Sequence, residues 1–122
     1  MKLFFHKLTF QRRNILFATL MASCQISMAG TMVVGKIKEI QINKALGNVV
    51  FVQLDANHTT PISCQVNVGW TYTLPQQTDA DRKIFALLSM ALATGQTVRL
   101  YGSGACSDFA AVESISAAAI QQ

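Results

Sequence analysis

The chain has 122 residues, a length that accommodates one ordinary domain, and a formal net charge of +4. Four of its ten basic residues, Lys2, Lys7, Arg12 and Arg13, precede Ala29; beyond that point six bases face six acids and the charges cancel. A neutral domain lacks the basic footprint that phosphate recognition requires, which argues against nucleic acid as a partner.

The basic start contains no acid and leads into an apolar run from Ile15 to Ala22, after which Ser27 and Ala29 supply small residues two apart. This is the pattern of a cleavable export signal over residues 1–29, leaving one domain over residues 30–122. The run is too short for a membrane span, which needs about 20 apolar residues. Met21-Ala22-Ser23-Cys24 offers a second processing possibility, lipidation at Cys24, and an uncleaved amphipathic helix is a third. The expected location is the periplasm or the medium. There the two remaining cysteines, Cys64 and Cys106, form an even pair suited to a disulfide, two free buried thiols being the alternative.

The first strand falls between Val33 and Ile42, with a bulge or bend at Gly35. Leu46-Gly47-Asn48 turns the chain into a second strand, Val49 to Asp55, to make a hairpin. The alternation of Ile62, Cys64, Val66 and Val68 with Ser63, Gln65 and Asn67 predicts a third strand with one wet face. Gly69 to Gln77 is irregular and holds Trp70 and Tyr72. Thr78 or Asp79 caps a helix whose apolar face carries Ile84, Leu87, Leu88, Ala91 and Leu92, and Gly95 stops it. Thr97 to Tyr101 alternates as a fourth strand. Val112 to Ile120 is the fifth, although Ala117-Ala118-Ala119 is equally helical by propensity. The order β-β-β-α-β-β is that of an OB-fold-like five-stranded Greek-key barrel, with an open α+β sheet as the competing architecture.

No catalytic constellation emerges. Ser103, in Gly102-Ser103-Gly104, needs a base, and the single histidine of this region, His58, lies in a polar turn with a formal glycosylation sequon at Asn57. One histidine and two cysteines lack metal-site spacing, so neither metal nor cofactor is expected. Asp108 and Glu113 read as surface carboxylates. Candidate ligand-binding residues are the uncharged face Ser63, Gln65 and Asn67, which suits carbohydrate, and the aromatics Trp70 and Tyr72, which stack on a sugar or close the core. The helix face bearing Phe85, Ser89 and Met90 has little charge and predicts that something covers it, a second copy, a partner protein or the rest of a larger core, with self-association or a stable partner contact the expected outcome.

Cys64-Gln65-Val66-Asn67-Val68-Gly69-Trp70, followed by a helix and then Ala93-Thr94-Gly95-Gln96-Thr97-Val98-Arg99-Leu100-Tyr101, resembles the B subunit of subtilase cytotoxin and its relatives in typhoid-type toxins. The similarity covers Val33 to Tyr101. It implies an exported OB-fold that assembles into pentamers, binds sialylated glycans and delivers an exported A-type subunit. Val33 or Val34 stands where that family carries its sugar-binding serine, and the family's chains continue past the fifth strand. Residues 106–113, Cys-Ser-Asp-Phe-Ala-Ala-Val-Glu, look more like small periplasmic proteins of Gram-negative bacteria. The expected function is therefore a non-catalytic binding module for a glycan or a partner protein. The alternative is a periplasmic structural or adaptor domain without a sugar ligand.

Overall fold

The computed structural model describes residues 30–122; the expected export signal, residues 1–29, and the lipidation possibility at Cys24 lie outside the described residues. Among the described residues, five antiparallel strands form one sheet in the order β3-β2-β1-β4-β5, with one α-helix. β1 spans Met32–Ile42, β2 Val50–Leu54 and β3 Tyr72–Leu74; α1 spans Asp79–Thr94, β4 Thr97–Gly102 and β5 Ile115–Gln121.

β1 serves two neighbours in succession. Its first half, Met32 to Lys36, pairs with β4, and its second half, from Ile37, pairs with β2. The register slips between Ile37 and Glu39, just after the bend expected at Gly35. Asp55 secures this corner by accepting the Lys36 N–H at 2.7 Å and donating its own N–H to the Lys36 carbonyl at 2.9 Å. The hairpin turn contains a short 3₁₀ segment, Lys44–Leu46, capped by the Asn43 side chain.

α1 begins with a capping box. The Thr78 hydroxyl accepts the Asp81 N–H, and the Asp81 carboxylate accepts the Thr78 N–H. Burial pushes the Asp81 carboxyl up, but the Thr78 and Gln77 hydrogen bonds and the nearby Arg82 charge together outweigh it and hold the group below its ordinary value. The helix ends at Gly95, whose φ of 67° is the left-handed conformation that costs glycine little. Leu88 and Ala91 are fully buried, and Ile84, Phe85 and Leu87 pack on the same core, where the helix meets β1 and β5. Among the described residues no helix is long and apolar enough to cross a membrane.

Two elements differ from the sequence reading. Ile62 to Val68 is not a strand. It turns through hydrogen bonds from Gln65 N–H to Ile62 O and from Val66 N–H to Cys64 O, and Val66 and Val68 stand 71% and 95% exposed. Their alternation has no sheet neighbour to bury it. The third strand is instead Tyr72–Leu74, whose three residues are all buried, too short a run for periodicity to reveal. The alanine run, by contrast, is strand: Ala117, Ala118 and Ala119 pair with Tyr101, Leu100 and Arg99, so ladder bonding overrides helix propensity. β5 begins at Ile115, three residues later than Val112. Just before it, a parallel bridge joins Thr73 to Ser114 and so links β3, one end of the sheet, to the approach of β5, the other.

Cys64 and Cys106 are disulfide-bonded, with Cα atoms 6.1 Å apart. The bond ties the β2–β3 loop to the β4–β5 loop across a sequence separation of 42. In the chain-entropy description, closing such a loop stabilises the fold by about 3–4 kcal/mol. The Cys64→Ser, Cys106→Ser double variant is therefore expected to lose about 2–4 kcal/mol in urea unfolding, with the wild type falling to the same midpoint when reduced.

Candidate functional site

The β2–β3 loop, residues 55–71, is irregular yet fastened at several points. Besides the disulfide, the N–H groups of Val66 and Asn67 both donate to Ala111 O, at 3.2 and 3.0 Å. The Gln65 amide acts as a staple: Oε1 accepts the Glu113 N–H at 2.6 Å, while Nε2 donates to the carbonyls of Asn67 and Trp70 at 2.8 and 3.0 Å. Asn67 Oδ1 accepts the Gly69 N–H at 2.8 Å. Trp70 packs against Phe51, which also meets Phe109, giving a small aromatic cluster on the outer side of β2.

This loop encloses a cleft of about 180 Å³ lined by Asn57, His58, Pro61, Gln65, Asn67, Val68, Trp70 and Thr71. Three of the residues singled out in the sequence, Gln65, Asn67 and Trp70, meet here. Gln65 contributes shape rather than contacts, because both ends of its amide are used internally. Asn67 Nδ2 and the whole Asn57 amide carry no hydrogen bond to the described residues, and Val68, Pro61 and Trp70 supply apolar surface beside them. Ser63 is exposed and lies outside the cleft. Tyr72 is fully buried in the core, so its ring is not a ligand platform. On α1, Phe85 packs against the core, and the half-buried Ser89 donates its hydroxyl to Phe85 O at 2.9 Å. Met90 faces solvent at 52% exposure, and Leu92, which the sequence placed on the buried face, is exposed as well.

Behind the cleft lies a cluster that the sequence did not foreshadow. Glu113, read there as a surface carboxylate, is 0% exposed. Its Oε1 accepts the N–H groups of Thr31 and Gly104 at 3.1 and 2.9 Å, and its Oε2 lies 2.5 Å from Thr31 Oγ1. Gly102 makes room for the carboxylate: a Cβ there would lie 2.0 Å from Oε1. Thr31 Oγ1 also meets the Tyr72 hydroxyl at 2.8 Å and His58 Nδ1 at 2.9 Å. His58 Nε2 lies 2.7 Å from Thr71 O, and the ring stands edge-to-face against Tyr72 at 4.8 Å. His58 is thus not a free turn residue but a cleft wall anchored at both nitrogens. Burial pushes the Tyr72 phenol up to about 12, Thr31's hydrogen bond opposing and Glu113's charge adding to the shift, so the phenol is neutral under ordinary conditions.

A hydroxyl between an imidazole and a carboxylate has the ingredients of an activated nucleophile, but the geometry here does not favour attack. A hydroxyl has one hydrogen and two lone pairs, and Thr31 Oγ1 has three partners that occupy all of them. Ser103 is exposed and donates to Ala105 O at 3.1 Å. Among the described residues no group of three or more His, Cys, Asp or Glu side chains could hold a metal ion.

No protein-family model, no curated protein and no solved structure matches this chain. The geometry of the loops therefore carries the functional reading. Removing the carboxylate should be severe: Glu113→Ala leaves two main-chain N–H groups and the Thr31 hydroxyl without their acceptor. A loss of about 3–5 kcal/mol is expected in denaturant unfolding.

Proposed function

We propose that this chain is exported and acts as a non-catalytic binding module on an OB-fold-like barrel, holding an uncharged hydrogen-bonding ligand, a glycan, in the β2–β3 loop cleft. The barrel reading is supported by the strand order, the Thr73–Ser114 parallel bridge between the two ends of the sheet, and the helix between the third and fourth strands. Export is supported by the basic-then-apolar start, by the small residues at Ser27 and Ala29, and by the disulfide, a bond that persists in oxidising compartments.

The cleft carries the ligand reading. It sets two amides, Asn57 and Asn67, beside the apolar surface of Trp70, Pro61 and Val68, and its lining contains no acid, lysine or arginine. A sugar ring offers the complementary surface, hydroxyls at its rim and an apolar face. The volume of about 180 Å³ is below the roughly 300–1,000 Å³ of typical small-molecule sites, which suits one ring rather than an extended chain. A module of the toxin B-subunit type fits this description, with the ligand in the loop cleft rather than on the first strand, where Val33 and Val34 stand.

A second reading, a periplasmic adaptor for a partner protein or a second copy, is favoured by one observation: the apolar side chains of Val66, Val68 and Met90 stand in solvent. The two readings separate on a glycan array probed with the mature protein. The first predicts saturable binding, weakened about 3- to 10-fold by Asn57→Ala, which removes about one hydrogen bond. The adaptor reading predicts a blank array and co-purification with a protein that Val68→Glu releases. Intact mass of the exported protein is expected to place its first residue at Gly30.

A further inference from the structure

The hydrogen bonds of the Glu113 cluster can be counted, and they do not close without an extra hydrogen. His58 Nε2 faces a carbonyl oxygen, Thr71 O, which only accepts, so Nε2 carries a hydrogen. Tyr72 is a neutral phenol whose recorded partner is Thr31, so it donates to Thr31 Oγ1. Thr31 then has one hydrogen left for two neighbours, Glu113 Oε2 and His58 Nδ1. With a carboxylate and a neutral imidazole both are acceptors, and one of them faces a lone pair at hydrogen-bond distance. If Thr31 donated to Tyr72 instead, both would.

We infer that Glu113 and His58 share one proton through the Thr31 hydroxyl, and that this proton fixes the His58 wall of the cleft. Two arrangements balance, and they hold the same number of protons. In one, Glu113 is a carboxylate, Thr31 donates to it, and an imidazolium donates from Nδ1 to Thr31. In the other, a carboxylic acid donates to Thr31, which donates to a neutral imidazole. Glu113 Oε1 already accepts two main-chain N–H groups, which places the negative charge on Glu113 and the proton on Nδ1.

Among the described residues, the surroundings leave no other charged group to substitute for it. Tyr72 faces His58 from β3, and Glu113 reaches it through Thr31 from the approach to β5. Besides His58 itself, residues 56–70 of its loop contain no charged side chain, and Asp55, just before them, is bound to the Lys36 N–H. The stabilisation is present while the proton is bound and is lost as pH rises. When it is lost, the end that moves is His58. Glu113 is held by Thr31, Gly104 and the β4–β5 loop, whereas His58 sits in an irregular loop at the edge of the cleft. Rising pH therefore loosens Asn57 and His58, the wall that a ligand would touch.

The proton count itself does not depend on the glycan reading, which rests on the same cleft; only the consequence for binding does. The test accordingly needs no ligand. Nitrogen-15 NMR of the His58 ring in the oxidised mature protein at pH 7 is expected to show both nitrogens protonated, where a free imidazole, with a pKa of about 6.5, is mostly neutral. Glu113→Gln is the informative variant. Its amide oxygen replaces Oε1, and its NH₂ supplies Thr31 with the missing hydrogen. It should fold with a melting temperature within a few degrees of wild type, carry a neutral His58 with hydrogen on Nε2 alone, and lose the wild-type shift of the Asn57–Thr60 amides between pH 6 and pH 9. A neutral His58 in the wild type at pH 7 would overturn the inference. So would an unchanged His58 titration in Glu113→Gln. The wild-type spectrum decides even if the variant does not fold.

Discussion

A carboxylate with no exposed surface must be compensated on every side, and in this fold that demand falls on Glu113. Moving such a group out of water costs several kcal/mol even after relaxation. It persists because Thr31 and Gly104 offer main-chain N–H groups and Thr31 a hydroxyl. Those donors come from the start of β1 and the β4–β5 loop, so satisfying one carboxylate fixes two separated parts of the chain. The main chain of Glu113 adds to this, receiving the Thr73 N–H at its carbonyl and donating to Gln65. One residue therefore joins the approaches of β1 and β5 to β3 and the β2–β3 loop.

The cleft follows from that arrangement. Its loop has no ladder of its own and is ordered by what it is tied to: the disulfide to Cys106, the Ala111 carbonyl, and the Gln65 staple to Glu113. The side chains left over after these ties, Asn57, Asn67 and Val68, are those available to a ligand. Ordering the loop in advance lowers the entropy cost of binding, which suits the binding role proposed for so small a cleft. The Thr31 hydroxyl links the cleft wall at His58 to the buried carboxylate behind it, so cleft wall and carboxylate belong to one hydrogen-bond network.

Local chemistry made much of the fold legible in the sequence. The helix announced itself through Thr78 and Asp81 at one end, Gly95 at the other, and apolar spacing between. The first hairpin and β4 followed from alternation and turn residues. What failed was the third strand. Ile62, Cys64, Val66 and Val68 alternate convincingly, but alternation reports a buried face only where a neighbouring strand exists, and here Val66 and Val68 meet solvent. Of the site, Gln65, Asn67 and Trp70 were legible because they lie close in sequence. The Glu113 cluster was not, because it joins residues as far as 82 positions apart, and a lone histidine, a threonine and a glutamate carry no spacing signal. The faint clue was Gly102-Ser103-Gly104, weighed for its serine; Gly102 leaves the space that the carboxylate fills, and Gly104 donates to it.

Native-state hydrogen exchange tests most directly whether the buried carboxylate is an organising element rather than a local decoration. The Thr31 and Gly104 amides, both donors to Glu113, lie outside the strands and would exchange early if the cluster were peripheral. If Glu113 holds the fold together, both amides open only with the same free energy as core amides such as Val52 and Val98. Exchange of Thr31 and Gly104 through local opening, a hundredfold or more faster than Val52 while the core stays protected, would contradict the account.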